Sequence, residues 1–554
     1  MSTIEKPPTL YETRREQMFP ILTAAQLERL GAHGERVRLR AGEVLAEPGD
    51  RFGKLLIVLS GSVEIVRPGL AGEEPVTVHR AGSFMGEMNT LRGTGSLVRA
   101  RVGDSGEAIL LDEECFRGVV QTDTELSELF MRAFILRRVG LIGSQQSDVI
   151  LIGSRHCADT LRLHQFLTRN GYPHMNVDVE RDAGFQALLD RFRIDIADIP
   201  VVVCRGTTVL RNPSNEQIAA CLKMNPQIDP ARVRDMIVIG AGPAGLAAAV
   251  YGASEGLDVL VLETSGPGGQ AGSSSKIENY LGFPTGISGQ ALAGRALVQA
   301  QKFGADVTVA STARRLHCDR HPYEVELANG DRVTGRAIVI ASGAEYRQLA
   351  LENLAQFLGV GIYFAATHVE AQLCANEEVV VVGGGNSAGQ AAVFLSGHCR
   401  RVHLVVRSSG LADSMSRYLI RRIEESENIA LRAQTQITGL HGDTHLQRVT
   451  WRRGAEEQTS DIGHVFLMTG ATPNTRWLDG CVALDGKGFV KTGPDLAPED
   501  LSDWSLARAP HLLETSIPGI FAVGDVRAGN VKRVASAVGE GSVCVQLVHR
   551  VLAE

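Results

Sequence analysis

The sequence predicts a multidomain chain: a small β-roll followed by three α/β units. Three observations carry that expectation. Short β-type runs with alternating apolar positions, punctuated by glycine, crowd residues 20 to 120. A strand-helix-strand-helix-strand rhythm fills 148 to 223. Two glycine-rich loops, at 240–245 and 383–388, each follow a short apolar run and precede a helical stretch. At 554 residues the chain is also too long for one core. Roughly 150 residues per domain means three or four units.

Bulk properties exclude several classes of function. A formal charge of -7 leaves no basic excess to displace phosphate counterions, so nucleic acid is not an expected partner. The N-terminus, MSTIEKPPTL, is polar, and no run reaches the roughly 18 apolar residues that a bilayer span needs. The expectation is a cytoplasmic protein with no membrane span. The nine cysteines show no paired spacing, so neither a disulfide framework nor a metal site is expected, and C-x-x-C occurs nowhere.

Residues 1–142 form the first expected domain, with VRLRAGEVLAEPGD, KLLIVLSGSVEIVRPG and VRARVGDSGEAILLD as β-type runs and ELSELFMRAFILRRVGLI as a helix packed on them. Gly42-Glu43, Gly49-Asp50, Gly61 within LIVLSGSVEI, and Gly86-Glu87 resemble the cyclic-nucleotide-binding domains of bacterial regulators and kinases. The resemblance implies that Glu87 holds a ribose hydroxyl and that N–H groups after Gly86 meet a cyclic phosphate. The phosphate arginine of that family is missing: Gly93-Thr94-Gly95-Ser96 stands in its place, flanked by Arg92, Arg99 and Arg101. A cyclic nucleotide and another small ligand both stay open.

Gly140 to Gln145 reads as a linker. Residues 148–223 then run through the strand VILIGS, the helix CADTLRLHQFLTRNG, VDVERD, a helix around AGFQALLDRF and the strand IPVVVCRG. This order resembles a thioredoxin/glutaredoxin-like fold. The resemblance makes Ile199-Pro200 the cis-proline turn and puts Ser154-Arg155-His156-Cys157 at the redox position. Only Cys157 is available there, at a helix N-terminus where dipole and free N–H groups favour a thiolate; it is a candidate catalytic thiol or a plain packing residue.

KMNPQIDPARVR joins this to the last three segments, 233–350, 351–483 and 484–554. Asp235 to Ile239 leads into Gly240-Ala241-Gly242-Pro243-Ala244-Gly245 and a helix, and Glu263 ends the next strand, 18 residues beyond Gly245. Gly242 lets backbone approach a pyrophosphate resting on the helix N-terminus, Gly245 permits tight helix packing, and Glu263 suits ribose hydroxyls. A second such Rossmann unit runs from Val379-Val382 through Gly383-Gly384-Gly385-Asn386-Ser387-Ala388 to RVHLVVR. Arg407, where an NAD site usually carries an acid, favours NADPH.

Further residues in order, Gly268-Gly269-Gln270, Ile277-Glu278-Asn279-Tyr280, Ala341-Ser342-Gly343-Ala344, Thr469-Gly470-Ala471 and Gly519 through Gly524-Asp525, resemble the thioredoxin-reductase-type FAD and NAD(P) oxidoreductases over about 320 residues. The resemblance implies FAD in 233–350 with 484–554, NADPH in 351–483, and a homodimer. It places Gln270 and Asn279 along the flavin, Asp525 on the ribityl chain, and Lys532-Arg533-Val534-Ala535 near the isoalloxazine. The chain departs from the family where Cys-Ala-Thr-Cys is expected: Ala365 and His368 occupy the cysteine positions. Dithiol exchange has no thiols there, and His368 is a candidate proton donor or a space filler.

The expected activity is hydride transfer from NADPH to FAD and on to a non-standard acceptor: a thiol or disulfide partner, a ferredoxin-like carrier or a quinone. The N-terminal domain would gate it. The alternative is a flavin-based redox or nucleotide sensor with little turnover. A transcription regulator is disfavoured because no helix-turn-helix follows the β-roll.

Overall fold

Alternation of side chains along a strand sends every second residue to one face, and in the N-terminal unit this builds a two-sheet roll. The computed structural model describes residues 14–69, 72–87, 90, 95–143, 149–182, 185–205, 208–478 and 480–554. One antiparallel sheet runs Glu35–Leu39, Gly106–Asp112, Lys54–Val58, Phe84–Met85; the other runs Val44–Ala46, Arg99–Val102, Val63–Gly69, Gly72–His79. Leu39, Leu56 and Val58 of the first meet Val63, Ile65 and Val102 of the second between them. Leu55, Ile57 and Leu111 point the other way, onto the helices Glu113–Thr122 and Thr124–Gly143, where Phe130 takes Phe84 and Phe116 edge-on. The long helix continues to Gly143, so Gly140–Gly143 are helical and not linker. A helical glycine costs only about 1 kcal/mol, which the rest of a 20-residue helix offsets. Arg92, Gly93 and Thr94 lie outside the described residues, as do Ser144 and Gln145.

The second unit is a four-stranded sheet in the order Met175–Asp178, Ile150–Gly153, Val201–Cys204, Thr208–Arg211, parallel at the first pair and antiparallel at the other two. The fully buried Ile150–Gly153 and Val201–Cys204 need cover on both faces. Helices Ala158–Arg169 and Asn215–Cys221 cover one face, and Phe185–Phe192 covers the other. The Ile199–Pro200 peptide is cis.

The third unit is a sheet in the order Asp306–Thr308, Val259–Leu262, Val233–Ile239, Arg332–Ile340, Tyr323–Leu327, Ala313–His317. Arg332–Ile340 is shared: its start pairs antiparallel with Tyr323–Leu327 and its end parallel with Ile520–Ala522, which returns from the far end of the chain. Helices Pro243–Ser254, Gly289–Phe303 and Val534–Ala553 cover one face. Cys318 and Cys481 form a disulfide with Cα atoms 6.0 Å apart, across 163 residues of sequence; this pairing corrects the expectation from cysteine spacing.

The fourth unit is an all-parallel sheet in the order Ile362–Tyr363, His464–Leu467, Glu378–Val382, Arg401–Val405, Ile429–Arg432. An antiparallel three-stranded sheet, Thr435–His441, Arg448–Arg453 and Glu456–Ser460, packs beside it. The chain passes between third and fourth units twice, through Ala344–Tyr346 and Ala471–Pro473, which pair as a two-stranded antiparallel ribbon. That ribbon is the two-stranded connection within the reductase half. An ion pair between Arg422 and Glu278 joins the same two units away from it.

The two N-terminal units rest on this half. Lys302 Nζ donates to Ser127 Oγ at 2.9 Å, and Asn225 exchanges two hydrogen bonds with the Val309 backbone, both 2.7 Å.

Candidate functional site: two dinucleotide seats joined by one ribbon

The first seat forms where Val233–Ile239 runs into the glycine loop. Gly240 has φ +105°, and a Cβ there would stand 2.4 Å from Ala341 O. Only glycine meets both demands. Gly242 then caps Pro243–Ser254 with no side-chain bond to the helix, and Pro243 gives up an N–H that the first turn would leave unpaired anyway. Ala244 N and Gly245 N precede the first intrahelical bond, Leu246 N to Gly242 O, and lie at the positive end of the helix dipole, which suits an anionic group. Ala244 is buried beneath them, and a Cβ on Gly524 would stand 2.9 Å from its methyl, so the C-terminal Gly524-Asp525 turn belongs to the same seat.

Glu263 organises the loops. Its Oε2 accepts from Ala241 N at 2.8 Å; its Oε1 accepts from Ser265 N at 2.8 Å and Gly266 N at 3.0 Å. An ionised carboxylate offers about four acceptor sites, so it can still take a ribose hydroxyl. Gly268 N donates to Ala241 O at 2.7 Å, and Gly269 lies against Gly242, which fastens 265–269 onto the glycine loop.

Ser342 Oγ donates to Asn474 O at 2.8 Å, Asn474 Nδ2 returns to Ser342 O at 3.0 Å, and Asn474 N donates to Gly343 O. Gln270 donates through Nε2 to Ala344 O. Asn279 is exposed, on the loop that carries Leu281. Glu540 accepts from Gly524 N at 2.7 Å and from Arg527 and Asn530. Burial pushes the Asp525 carboxyl above its usual range, with Lys532 opposing. Arg533 caps Val534–Ala553, so Val534 and Ala535 open that helix. Asn474 and Glu540 were missed because they act from 132 and 16 residues away, outside any local motif.

The second seat repeats the plan more openly. Gly383 at φ +141° lies against Met468 O, and Gly385 caps Asn386–Ser396, again without a side-chain bond. A Cβ on Gly385 would meet nothing within 4 Å. Asn386 Oδ1 accepts from Ser416 N at 2.7 Å, and Ala388 is fully buried. Arg407 is exposed at the end of the second strand. The residues of both seats fit dinucleotides: capped helix starts with free N–H groups, glycines where backbone must be approached, an acid beside the first and a base beside the second.

Tyr346 links them. Burial pushes its phenol up, a bond with Ser387 works against that, and the nearby Asp525 carboxylate adds to the rise. A single side chain of the ribbon therefore meets the second glycine loop and lies within electrostatic reach of Asp525 in the first seat. Neither residue pattern nor resemblance pointed to it.

The candidate catalytic residues stand elsewhere. His368 is exposed at the start of His368–Leu373, with its ring edge-on to Phe394 at 5.2 Å and His398 at 5.9 Å, both in the fourth unit. Ala365 lies half-buried three residues earlier. Cys157 caps Ala158–Arg169 and is half-buried. Beside it His156, whose pKa burial lowers, stacks on His445 of the fourth unit at 4.6 Å, and Ala158 lies against Gly359. The Cys157 end of the second unit thus faces the fourth unit. Cys374 and Cys399, 25 residues apart, hold their buried sulfurs 3.6 Å from each other.

Glu87 is buried in the β-roll, and Arg137 Nη1 from the long helix donates to it at 2.8 Å. Arg99 pairs with Glu47 and Glu73, and Arg101 with Glu64 and Glu73. Among the described residues no group of three or more His, Cys, Asp and Glu is placed to hold a metal, and no helix is long and apolar enough to cross a membrane.

This geometry defines a two-dinucleotide flavoprotein oxidoreductase. Residues 234–541 match the model of the pyridine nucleotide-disulphide oxidoreductase family, and the chain belongs to that family. Residues 36–123 match the cyclic nucleotide-binding domain. The thioredoxin reductase of Bacillus subtilis (strain 168) is 29% identical over 58% of this chain and 96% of its own. That of Mycolicibacterium smegmatis is 31% identical over 58% and 97%. The crystal structure of T. acidophilum thioredoxin reductase superposes with a TM-score of 0.52 at 26% identity, covering 58% of this chain and all of that one. The cofactors are those of the thioredoxin reductase family, FAD and NADPH.

Proposed function

We propose that the protein is an NADPH-dependent FAD oxidoreductase that delivers electrons to an acceptor other than the dithiol of ordinary thioredoxin reductases. The observation that carries this is that two glycine-loop seats flank one connecting ribbon, Ala344–Tyr346 with Ala471–Pro473, in a chain without C-x-x-C. Bound FAD supplies reversible two-electron chemistry; the protein supplies orientation and electrostatics.

In this reading the N–H groups opening Pro243–Ser254 hold the FAD pyrophosphate, Glu263 takes the adenosine ribose, and Ala341, Ser342, Gly343, Gly524 and Asp525 line the chain leading to the flavin. Gln270, Asn279, Arg533, Val534 and Ala535 border the flavin itself. Gly383, Gly385, Asn386, Ser387 and Ala388 seat NADPH, and Arg407 meets the 2'-phosphate. Half-buried Tyr346 stands between the two. His368 and Cys157 are the candidates for proton and thiol chemistry. The acceptor is a thiol or disulfide partner, a ferredoxin-like carrier or a quinone.

The second unit is read as thioredoxin-like, supported by its strand order and the position of Cys157 at a helix start. The β-roll is read as a gating domain for a cyclic nucleotide or another small ligand at Gly86 and Glu87. The units divide at 1–142, 148–223, 233–350, 351–483 and 484–554, in a cytoplasmic homodimer.

Anaerobic mixing with NADPH, and separately with NADH, while following the flavin band tests this reading. Rapid bleaching by NADPH is expected; no bleaching with FAD still bound would sink it. That second outcome would favour a flavin-based sensor with little turnover. The reading has its own support in the helix Ala158–Arg169, which touches both reductase units and can hold them in one arrangement: Gln165 Nε2 donates to buried Glu370 of the fourth unit at 2.6 Å, while Asn170 Nδ2 donates to Ser265 O of the third at 2.9 Å. Cys157→Ser with unchanged turnover for every acceptor would remove the thiol route.

A further inference from the structure

Arg169 ends the helix Ala158–Arg169 of the second unit, yet its guanidinium lies in the third. Nη2 donates to Gly269 O at 3.0 Å and Gly266 O at 3.5 Å, and Nη1 to Ser265 Oγ at 3.4 Å. Each partner is neutral. Nε is buried with no hydrogen-bond partner among the described residues, and no carboxylate there lies within ion-pair distance of Arg169. A partly buried cation surrounded by neutral acceptors is costly unless an anion joins it.

The loop that receives this cation is the one fastened to the first glycine loop. Gly268 N bonds to Ala241 O, Gly269 lies against Gly242, and Glu263 Oε1 holds Ser265 N and Gly266 N. Arg169 therefore stands against the segment that closes the seat for the adenosine diphosphate half of a dinucleotide. A planar guanidinium with spare donors is suited to a diphosphate.

We propose that Arg169 is part of the FAD seat, supplied by the neighbouring unit, and that its charge meets the anionic adenosine diphosphate half of the cofactor. This rests on the reading of the first seat as the FAD site. By linkage, FAD and the docking of the second unit strengthen each other by the same factor.

The test is FAD titration of the full-length apoprotein by flavin fluorescence, with ADP and riboflavin as competitors. Arg169→Gln, which keeps an amide donor but no charge, should raise Kd for FAD and for ADP about tenfold, or 1.4 kcal/mol, and leave riboflavin unchanged. Arg169→Lys should recover most of that loss. Gln165→Ala, which cuts the contact with Glu370 only, should bind FAD as the wild type does. Wild-type affinity in Arg169→Gln, or an equal loss in Gln165→Ala, would overturn the proposal. Should Arg169→Gln fail to fold, amide exchange of 158–169 in the wild type decides: slower exchange on FAD loading supports the linkage, and no change refutes it. A wild-type chain that takes up no FAD would instead remove the flavin reading itself.

Discussion

In the third unit the helix of the dinucleotide loop comes so close to its strand that a Cβ on Gly245 would stand 1.9 Å from Gly240 O; in the fourth the matching residue is Ala388, whose methyl the structure accommodates. The charged residues differ in the same sense. Glu263, 8% exposed, spends its carboxylate on three backbone N–H groups, whereas Arg407 stands in solvent. One seat is tight and tied together by its own acid; the other is open and keeps its charge free. The difference suits a resident dinucleotide in the first and an exchanging one in the second.

Substitutions can break this comparison. Gly245→Ala should be the most damaging, because backbone and not a flexible side chain stands in the way. A cost above about 3 kcal/mol is expected, seen as a fall in Tm of roughly 10 °C and loss of yellow colour. Ala388→Gly should cost about 1 kcal/mol, and equal falls would erase the distinction between tight and open seats. Glu263→Ala leaves three N–H groups without their charged acceptor and should cost roughly 3 kcal/mol of stability and FAD retention, measured by thermal melting and by the flavin-to-protein ratio after gel filtration.

Arg407→Glu should leave melting unchanged within about 0.5 kcal/mol. It should lower the NADPH-over-NADH ratio of anaerobic flavin bleaching about tenfold, by placing an acid against a 2'-phosphate. An unchanged ratio would take Arg407 out of coenzyme choice.

The smallest effect is a pH dependence of the fourth unit. Burial lowers the pKa of His403, against the opposing bond with Glu378 at 3.0 Å. Between the folded value and about 6.5 the unfolded chain binds the extra proton. Stability is thus fully present above about 6.5 and declines as pH falls below it, by at most ~1.4 kcal/mol per pH unit. Melting at pH 7.5 and 5.5 should show this fall, and His403→Leu should reduce it, with His79 and His164, whose pKa values burial also lowers, accounting for what remains.

Both glycine loops were legible in the sequence because strand, turn and helix start are consecutive, and a glycine's role there is set within six residues. Glu263 and Arg407 were legible for a related reason: the end of the second strand lies at a set distance from the loop. The linker expected at 140–145 was misread at its start, since Gly140 and Gly143 look like breakers to a local reading but end a helix of 20 residues. The Cys318–Cys481 pair was invisible, because cysteine spacing says nothing about residues 163 apart.

By itself, the chain's order of residues determined the class of the β-roll and of the reductase half, the two dinucleotide loops and the absence of C-x-x-C, all of which depend on neighbours along the backbone. Tertiary structure alone decided that Tyr346 meets the second glycine loop, that Asn474 and Glu540 hold the first seat, and that the Cys157 end of the second unit faces the fourth. It also decided where Arg169 goes. Those placements depend on how sheets and helices pack, and packing brings together residues whose separation in sequence carries no signal of contact.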